Sequence, residues 1–530
     1  MDDSQDHSDA PFSFAVTVAF TLNYIIGTGF LTLPWGFNQT GHILGVVVLG
    51  LMTLFAISAA LFLLEAMARA EAYANQANNF GSFKGDYVQL DRKSLPPISI
   101  KNDSQQFLSL KETRNDSQRQ SEIQPLTEVH AVHVVGNQKY EVTELCKIFL
   151  GKQSVRLYTF LIAVYMYGTL WAYSTVFSQS LAMRLPLFPQ ELSSEVVELS
   201  IASYRIYLLL FAAIVVPSSM LELSEQVLVQ VTLSICRLLM VVLMISTICF
   251  ATIQQSIDSS NGHDEASQPF GPLTRFQENL HSDNAVHDPI NMNKLYLLLP
   301  MAAYATIFHH SIPSISQPVK NKLQLGRIFT VTLLICFIAY AAMAIVISSY
   351  FGNKTLICSN LNWDFYWGVL TENREIPLYA RCISSFVVLL PALDVASAFP
   401  LNAITLGNSL MSSYYGSRIH VLGTREASRA KIFFRSIAAA PPIIASSLMF
   451  DLGTITHFAG VSGFAIAFMF PSLLAIFSER LLSNHGIPHK THYTCWLTSP
   501  WIGYLSIALG MFLIIFVVAS LCLIGPPPTD

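Results

Sequence analysis

Charge is what this sequence most lacks. Only 12% of its 530 residues are Asp, Glu, Lys or Arg, and 52% are hydrophobic. A soluble protein of this size carries about 25% charged residues, so the shortfall points to a chain that crosses a membrane many times. The net charge is −4 and no basic tract stands out, which argues against a nucleic-acid partner. The eight cysteines lie far apart and none has CxxC spacing, so neither a zinc site nor a redox pair is indicated. No Gly-x-Ser-x-Gly, His-Glu-x-x-His or carboxylate cluster of metal spacing occurs, so an enzyme is not expected. No cofactor is expected either. Repeated filter residues are absent, which disfavours a channel. Met1 to Ala10 is acidic and lacks the basic start of a signal peptide, so the first apolar stretch is expected to stay in the protein.

What is present is a series of apolar stretches of membrane-crossing length. Eleven spans are expected, at about 12–35, 41–67, 153–183, 204–222, 226–254, 292–314, 327–350, 378–410, 430–450, 452–481 and 500–525. Loops after the sixth, eighth and tenth are basic (Lys320, Lys322 and Arg327; Arg418, Arg425, Arg429 and Lys431; Arg480 and Lys490). Loops after the third and fifth are acidic (Glu191, Glu195, Glu198; Asp258, Asp264, Glu265, Asp283, Asp288). By the positive-inside rule the basic loops are cytoplasmic, the N-terminal tail 1–11 is inside and the C-terminal tail 526–530 outside. Residues 255–291 then form an outer loop and 482–499 a cytoplasmic one. Asn353 of Asn-Lys-Thr falls outside, where it could carry a glycan or be a chance sequon. Residues 68–152 form a long cytoplasmic loop, expected to be largely disordered. It ends in an amphipathic helix near Tyr140–Leu150 and is either a tether or a regulatory segment. Plasma membrane, vacuole and lysosome all remain open, and a monomer is the default.

The first stretch contains Asn23-Tyr-Ile-Ile-Gly27-Thr28-Gly29-Phe-Leu-Thr-Leu-Pro34. Two glycines around a threonine, then a proline, interrupt the helix at about mid-membrane. Irregular backbone at that depth is tolerated only where it is buried in protein or lines a cavity. A second interruption, Phe308-His309-His310-Ser-Ile-Pro313, sits at a similar depth in the sixth span. Interrupted helices at matching positions of two halves point to a transporter site. Helix termini there offer N–H groups to a carboxylate and C=O groups to an ammonium. Gly27 and Gly29 would let the backbone approach a ligand, or would serve close helix packing as Gly41 and Gly45 do. Span six is expected to supply Phe308 and one of the two histidines to the pocket, the other histidine bonding a carbonyl. Tyr165 could close over a substrate or belong to an aromatic packing stripe with Tyr167 and Tyr173.

Two charges lie deep in apolar sequence: Arg237 in span five and Asp394 in span eight. Each costs roughly 2.5–3.5 kcal/mol at a helix centre on the insertion scale, so each needs a partner or water. They are expected to pair, coupling the chain to protons or to nothing, or to form a structural bridge. Alternatively Asp394 ligates sodium, with Asn23 and Ser397 as oxygen donors.

Taken together, these motifs, Ala398-Phe-Pro-Leu401 in span eight and Gly460-Val-Ser-Gly463 in span ten resemble the amino acid/auxin permease family of the amino acid–polyamine–organocation group. Tyr204-Arg-Ile-Tyr207, His310-Ser-Ile-Pro313-Ser and Pro318-Val319 are most similar to its transmembrane protein 104 subgroup. The resemblance implies an all-α, five-plus-five inverted-repeat fold like that of LeuT, with an eleventh helix added. It also implies cation-coupled transport of amino acids by alternating access, the histidine of the site being His310. An asparagine at the position of Asn23 is sodium-linked in the family. At the position of Asp394 the subgroup more often has a hydroxyl residue, so this chain departs there. A sensor on the same fold, with little flux, is the rival reading.

Overall fold

The computed structural model describes residues 12–79, 132–136, 138, 140–188, 200–220, 227–261, 269–270, 290–369, 375–415 and 424–524. Fifteen α-helices occur in this order: α1 (Phe14–Ile25), α2 (Leu33–Thr40), α3 (His42–Asn79), α4 (Val142–Phe149), α5 (Lys152–Arg184), α6 (Ile201–Met220), α7 (Val227–Asn261), α8 (Leu295–Thr306), α9 (Ile312–Ser316), α10 (Leu325–Phe351), α11 (Leu378–Tyr415), α12 (Thr424–Leu448), α13 (Leu452–Phe464), α14 (Phe470–Asn484) and α15 (Pro500–Ile524). Among the described residues there is no β-strand beyond isolated bridges.

Among the described residues, nine helices and one bent pair are long and apolar enough to cross a membrane. The bent pair is span one: α1 and the Gly29–Thr40 segment meet at 56°. Helix α12 is less apolar than these, because Arg425, Arg429, Lys431 and Arg435 crowd its first half. It nonetheless packs along α11, α5 and α6 as the ninth span. Helix α3 runs well past the expected end near residue 67, because Glu65 and Arg69 are paired and buried rather than placed in water. The disorder expected for the middle of 68–152 falls on residues outside those described. The amphipathic helix expected at its end is α4, opened by a Glu141–Glu144 capping box.

The packing has a five-span period. Span one touches span six (α2 on α8), two touches seven (α3 on α10), three touches eight (α5 on α11) and four touches nine (α6 on α12). Span five contacts one, seven and eight; span ten contacts six, two and three. These contacts of the first half thus recur in the second with the numbers advanced by five. Five crossings are odd, so the second half enters the membrane from the opposite side. This is the five-plus-five inverted repeat, with α15 added outside it.

Small residues let the backbones close. A Cβ on Gly460 would lie 2.2 Å from Pro300 O, and one on Gly168 would lie 2.8 Å from Ala459 Cβ. Many buried hydroxyls bond within their own helices, as Thr21 Oγ1 donates to Thr17 O at 2.8 Å and Ser174 Oγ to Leu170 O at 2.9 Å. Large apolar side chains face outward on α6 and α15, for example Leu209 and Ile515, where lipid rather than water receives them.

One end of the bundle carries the basic loops and is called here the basic end. There Phe12 pairs with Val319, its N–H donating to Pro318 O at 2.9 Å. Residues 132–136 also lie there, against 491–493. At the opposite end a 3-10 segment, Ser359–Phe365, is tied to span three by an Arg184–Asp364 ion pair of 3.1 Å and to span five by Trp363 Nε1 donating to Thr247 Oγ1 at 3.0 Å.

Candidate functional site

Span one stops being α-helical at Ile25. Ile26 departs from helical geometry, the Gly27 N–H donates back to Ile25 O at 2.9 Å, and a 3-10 turn, Gly29–Thr32, follows. Pro34, in the first turn of α2, costs no hydrogen bond because that turn has no intrahelical donors to lose. Span six repeats the design: Ile307 is extended, His309–Ser311 forms a 3-10 turn and Pro313 lies in the first turn of α9.

A helix that stops leaves carbonyls unbonded, and here two of them meet Arg237. Its Nη1 donates to Asn23 O at 2.8 Å and to Ile26 O at 2.7 Å. Its Nη2 donates to Asp394 Oδ1, completing a buried ion pair between spans five and eight. Tyr340 of span seven donates to Ile25 O at 3.3 Å. Four spans therefore converge on the broken end of α1. Ser397 turns its hydroxyl to Asp394 O at 2.9 Å, along its own helix, rather than to the carboxylate. A small cavity is lined by Gly27, Thr28, Arg237, Pro391 and Asp394, among others, and has room for about one water molecule. Among the described residues no three His, Cys, Asp or Glu side chains cluster at metal-binding spacing.

The glycines divide their work. Gly29 is pressed against span six: a Cβ there would lie 2.7 Å from the Tyr304 ring and 3.0 Å from Ala305 Cα. Gly27 lines the cavity, and a Cβ there would reach only Tyr173 Oη at 3.8 Å. Thr28 Oγ1 shares a hydrogen bond with Tyr304 Oη at 3.2 Å. The Tyr165 ring stands 5.9 Å from that of Tyr304 and 5.7 Å from that of His310. Thr28, Tyr304, Tyr165 and His310 thus form one polar–aromatic wall joining the two breaks through span three.

Phe308 and His309 turn away from this wall. Phe308 is fully buried against Phe329 of span seven, and His309 Nε2 lies 3.0 Å from Ala56 O of span two. Asn353 is exposed at the end opposite the basic loops, with Asn38 Nδ2 at 3.4 Å from its Oδ1.

Tyr304 and Tyr340 were not singled out in the sequence; both are unremarkable there, lying within apolar runs. The pair Glu65–Arg69 was passed over as well. It is joined at 3.2 Å and buried near the basic end. Thr494 donates to Glu65 Oε1 at 2.7 Å, and Arg69 donates to Ala475 O and His489 O, both at 2.9 Å. The i, i+4 spacing was the available signal.

Fold and site define the chain as a multi-pass membrane protein built around two facing broken helices. No family model matches it. It is similar to transmembrane protein 104 of Gallus gallus, 24% identical over 539 residues with 97% of each chain covered. It is likewise similar to the homolog of that protein in Dictyostelium discoideum, 20% identical with 89% of each covered. Among solved structures, a mutant of the Eremococcus coleocola manganese transporter aligns over 98% of this chain and 88% of its own, with 11% identity and a TM-score of 0.49.

Proposed function

We propose that this chain is a secondary active transporter that moves amino acids across a membrane by alternating access, coupled to protons or to sodium. The observation that carries this reading is the pair of facing breaks, with Gly27 and Thr28 on one side, His310 on the other and the Arg237–Asp394 pair beneath. A zwitterion needs donors for its carboxylate and acceptors for its ammonium within one small volume. The start of the 3-10 turn at Gly29 supplies backbone donors and a positive dipole end. Tyr304, Thr28 and His310 supply side-chain partners. The wall is otherwise aromatic and apolar, which favours neutral amino acids.

Proton coupling has the better support. Arg237 already neutralises Asn23 O, Ile26 O and Asp394, so the carbonyls an alkali cation would need are taken. Protonating Asp394 would release Arg237 from its counter-charge and let spans five and eight part. Asn353 is the proposed glycan acceptor, and the basic end the cytoplasmic one.

The rival is a sensor, which would bind amino acids with little flux. Exchange of labelled amino acids across proteoliposomes separates the two. Counterflow above that of protein-free vesicles supports transport. Saturable binding without counterflow favours the sensor.

A further inference from the structure

Residues 132–136 return from the long loop to the basic end and make a set of contacts that join three other segments. His133 pairs with Thr491 in a parallel bridge, and its carbonyl accepts from His492 N–H at 2.9 Å. Val135 is buried, and its N–H donates to the hydroxyl of Tyr493. That hydroxyl donates in turn to Lys322 O at 2.9 Å. The Gly136 N–H donates to the carboxylate of Glu71, near the end of span two, which also faces Lys322. Lys322 Nζ closes the chain by donating to Ser316 O at 2.7 Å and Gln317 O at 2.5 Å, at the end of the broken span six. A Cβ at 136 would lie 1.7 Å from Glu71 Oε1, so any side chain there must push the Glu71 carboxylate off its place. The other side of the segment leads through Tyr140 into α4, which packs on spans three and ten.

We infer that residues 132–136 are a strap that latches the basic end shut, tying spans two, six and ten to the base of span three, and that they lift away when this end opens. The reasoning is geometric. Opening on this side requires the end of α9 to separate from its neighbours, and the strap, Tyr493 and Lys322 bond them in series. Five residues held by two backbone bonds, a glycine–carboxylate bond and one buried valine are a small attachment, as a segment that must release would need. This rests on the alternating-access reading, and the test below does not use flux as its readout.

The test places a reporter at Ser316→Cys, which is fully buried at the end of α9. The background has the exposed Cys249, Cys382, Cys495 and Cys522 replaced by serine. A membrane-impermeant maleimide is applied from the basic side to the full chain in vesicles. A Gly136→Leu variant, which cannot seat against Glu71, should label about tenfold faster, the factor given by loss of one hydrogen bond to a charged acceptor. A His133→Cys/Thr491→Cys pair, oxidised across the bridge, should slow labelling of the reporter thiol at 316, read on its own peptide by mass spectrometry, below the parent rate, and reduction followed by removal of the reductant should restore it. Because reduction reverses the lock, this arm decides the matter even if Gly136→Leu fails to fold. Equal labelling of the oxidised and reduced forms would overturn the strap. Strap-dependent labelling without flux would uphold it while counting against transport.

Discussion

Removing Arg237 should damage this protein more than neutralising Asp394, although the two form one ion pair. In Asp394→Asn the guanidinium keeps Asn23 O and Ile26 O, at 2.8 and 2.7 Å, and the amide oxygen can still accept from it. The loss is an ion pair weakened to a hydrogen bond between the guanidinium and a neutral amide, the cation losing its counter-ion but keeping its two carbonyls, roughly 1.5–3 kcal/mol. In Arg237→Met a buried carboxylate loses its counter-ion, which costs roughly 3–5 kcal/mol. Two carbonyls at the end of α1 are orphaned in the same step, at about 1–3 kcal/mol each before relaxation. The arginine variant should therefore be the less stable by roughly 2 kcal/mol or more. The double variant Arg237→Met/Asp394→Asn should recover part of the loss, because no unpaired charge remains. Denaturant titration in mixed micelles, run as a double-mutant cycle, measures all three, with a coupling of about 1–3 kcal/mol expected. A larger loss for Asp394→Asn, or a strictly additive double variant, would refute the account of Arg237 as the cap of the broken helix.

The two glycines of the first break should separate in the same assay. Gly29→Ala drives a methyl into Tyr304 and the Ala305 backbone and should cost about 1–3 kcal/mol, whereas Gly27→Ala should fold normally and alter only ligand binding. If Asn353 lies outside, expression in a glycosylating cell should give a glycosidase-sensitive band that Asn353→Gln abolishes; its absence from a correctly inserted chain would count against the assigned sidedness. Burial pushes Tyr140 and Tyr493, both at the basic end, up to about 12. The unfolded chain releases these protons near about pH 10, so between these values the folded state holds more protons and stability falls as pH rises. A flat alkaline melting profile would contradict their burial.

The features legible in the sequence were those that break a pattern. Gly27, Gly29 and Pro34, and then Pro313, interrupt apolar runs, and the backbone breaks where they stand. Arg237 and Asp394 stood out because charge is rare in such runs. The direction of a side chain inside a break was not legible. Periodicity assigns faces only while the helix persists, so Phe308, His309 and His310 could not be told apart by spacing. Tyr304 and Tyr340 carry no sequence signal, since a buried tyrosine in an apolar helix looks like packing until its hydroxyl is seen to find Thr28 or Ile25 O. The Glu65–Arg69 pair was not legible for the reverse reason: two charges near the end of an apolar run look solvated until they are seen to neutralise each other inside the protein.

The central claim is coupled transport through the Arg237–Asp394 site. The direct measurement is uptake of a panel of labelled amino acids into proteoliposomes, driven by an imposed pH gradient or by a sodium gradient, for the native chain beside Asp394→Asn. The account predicts uptake of neutral amino acids that follows the pH gradient, ignores sodium and is lost in the variant. Uptake that follows sodium, or that survives unchanged in Asp394→Asn, would contradict it.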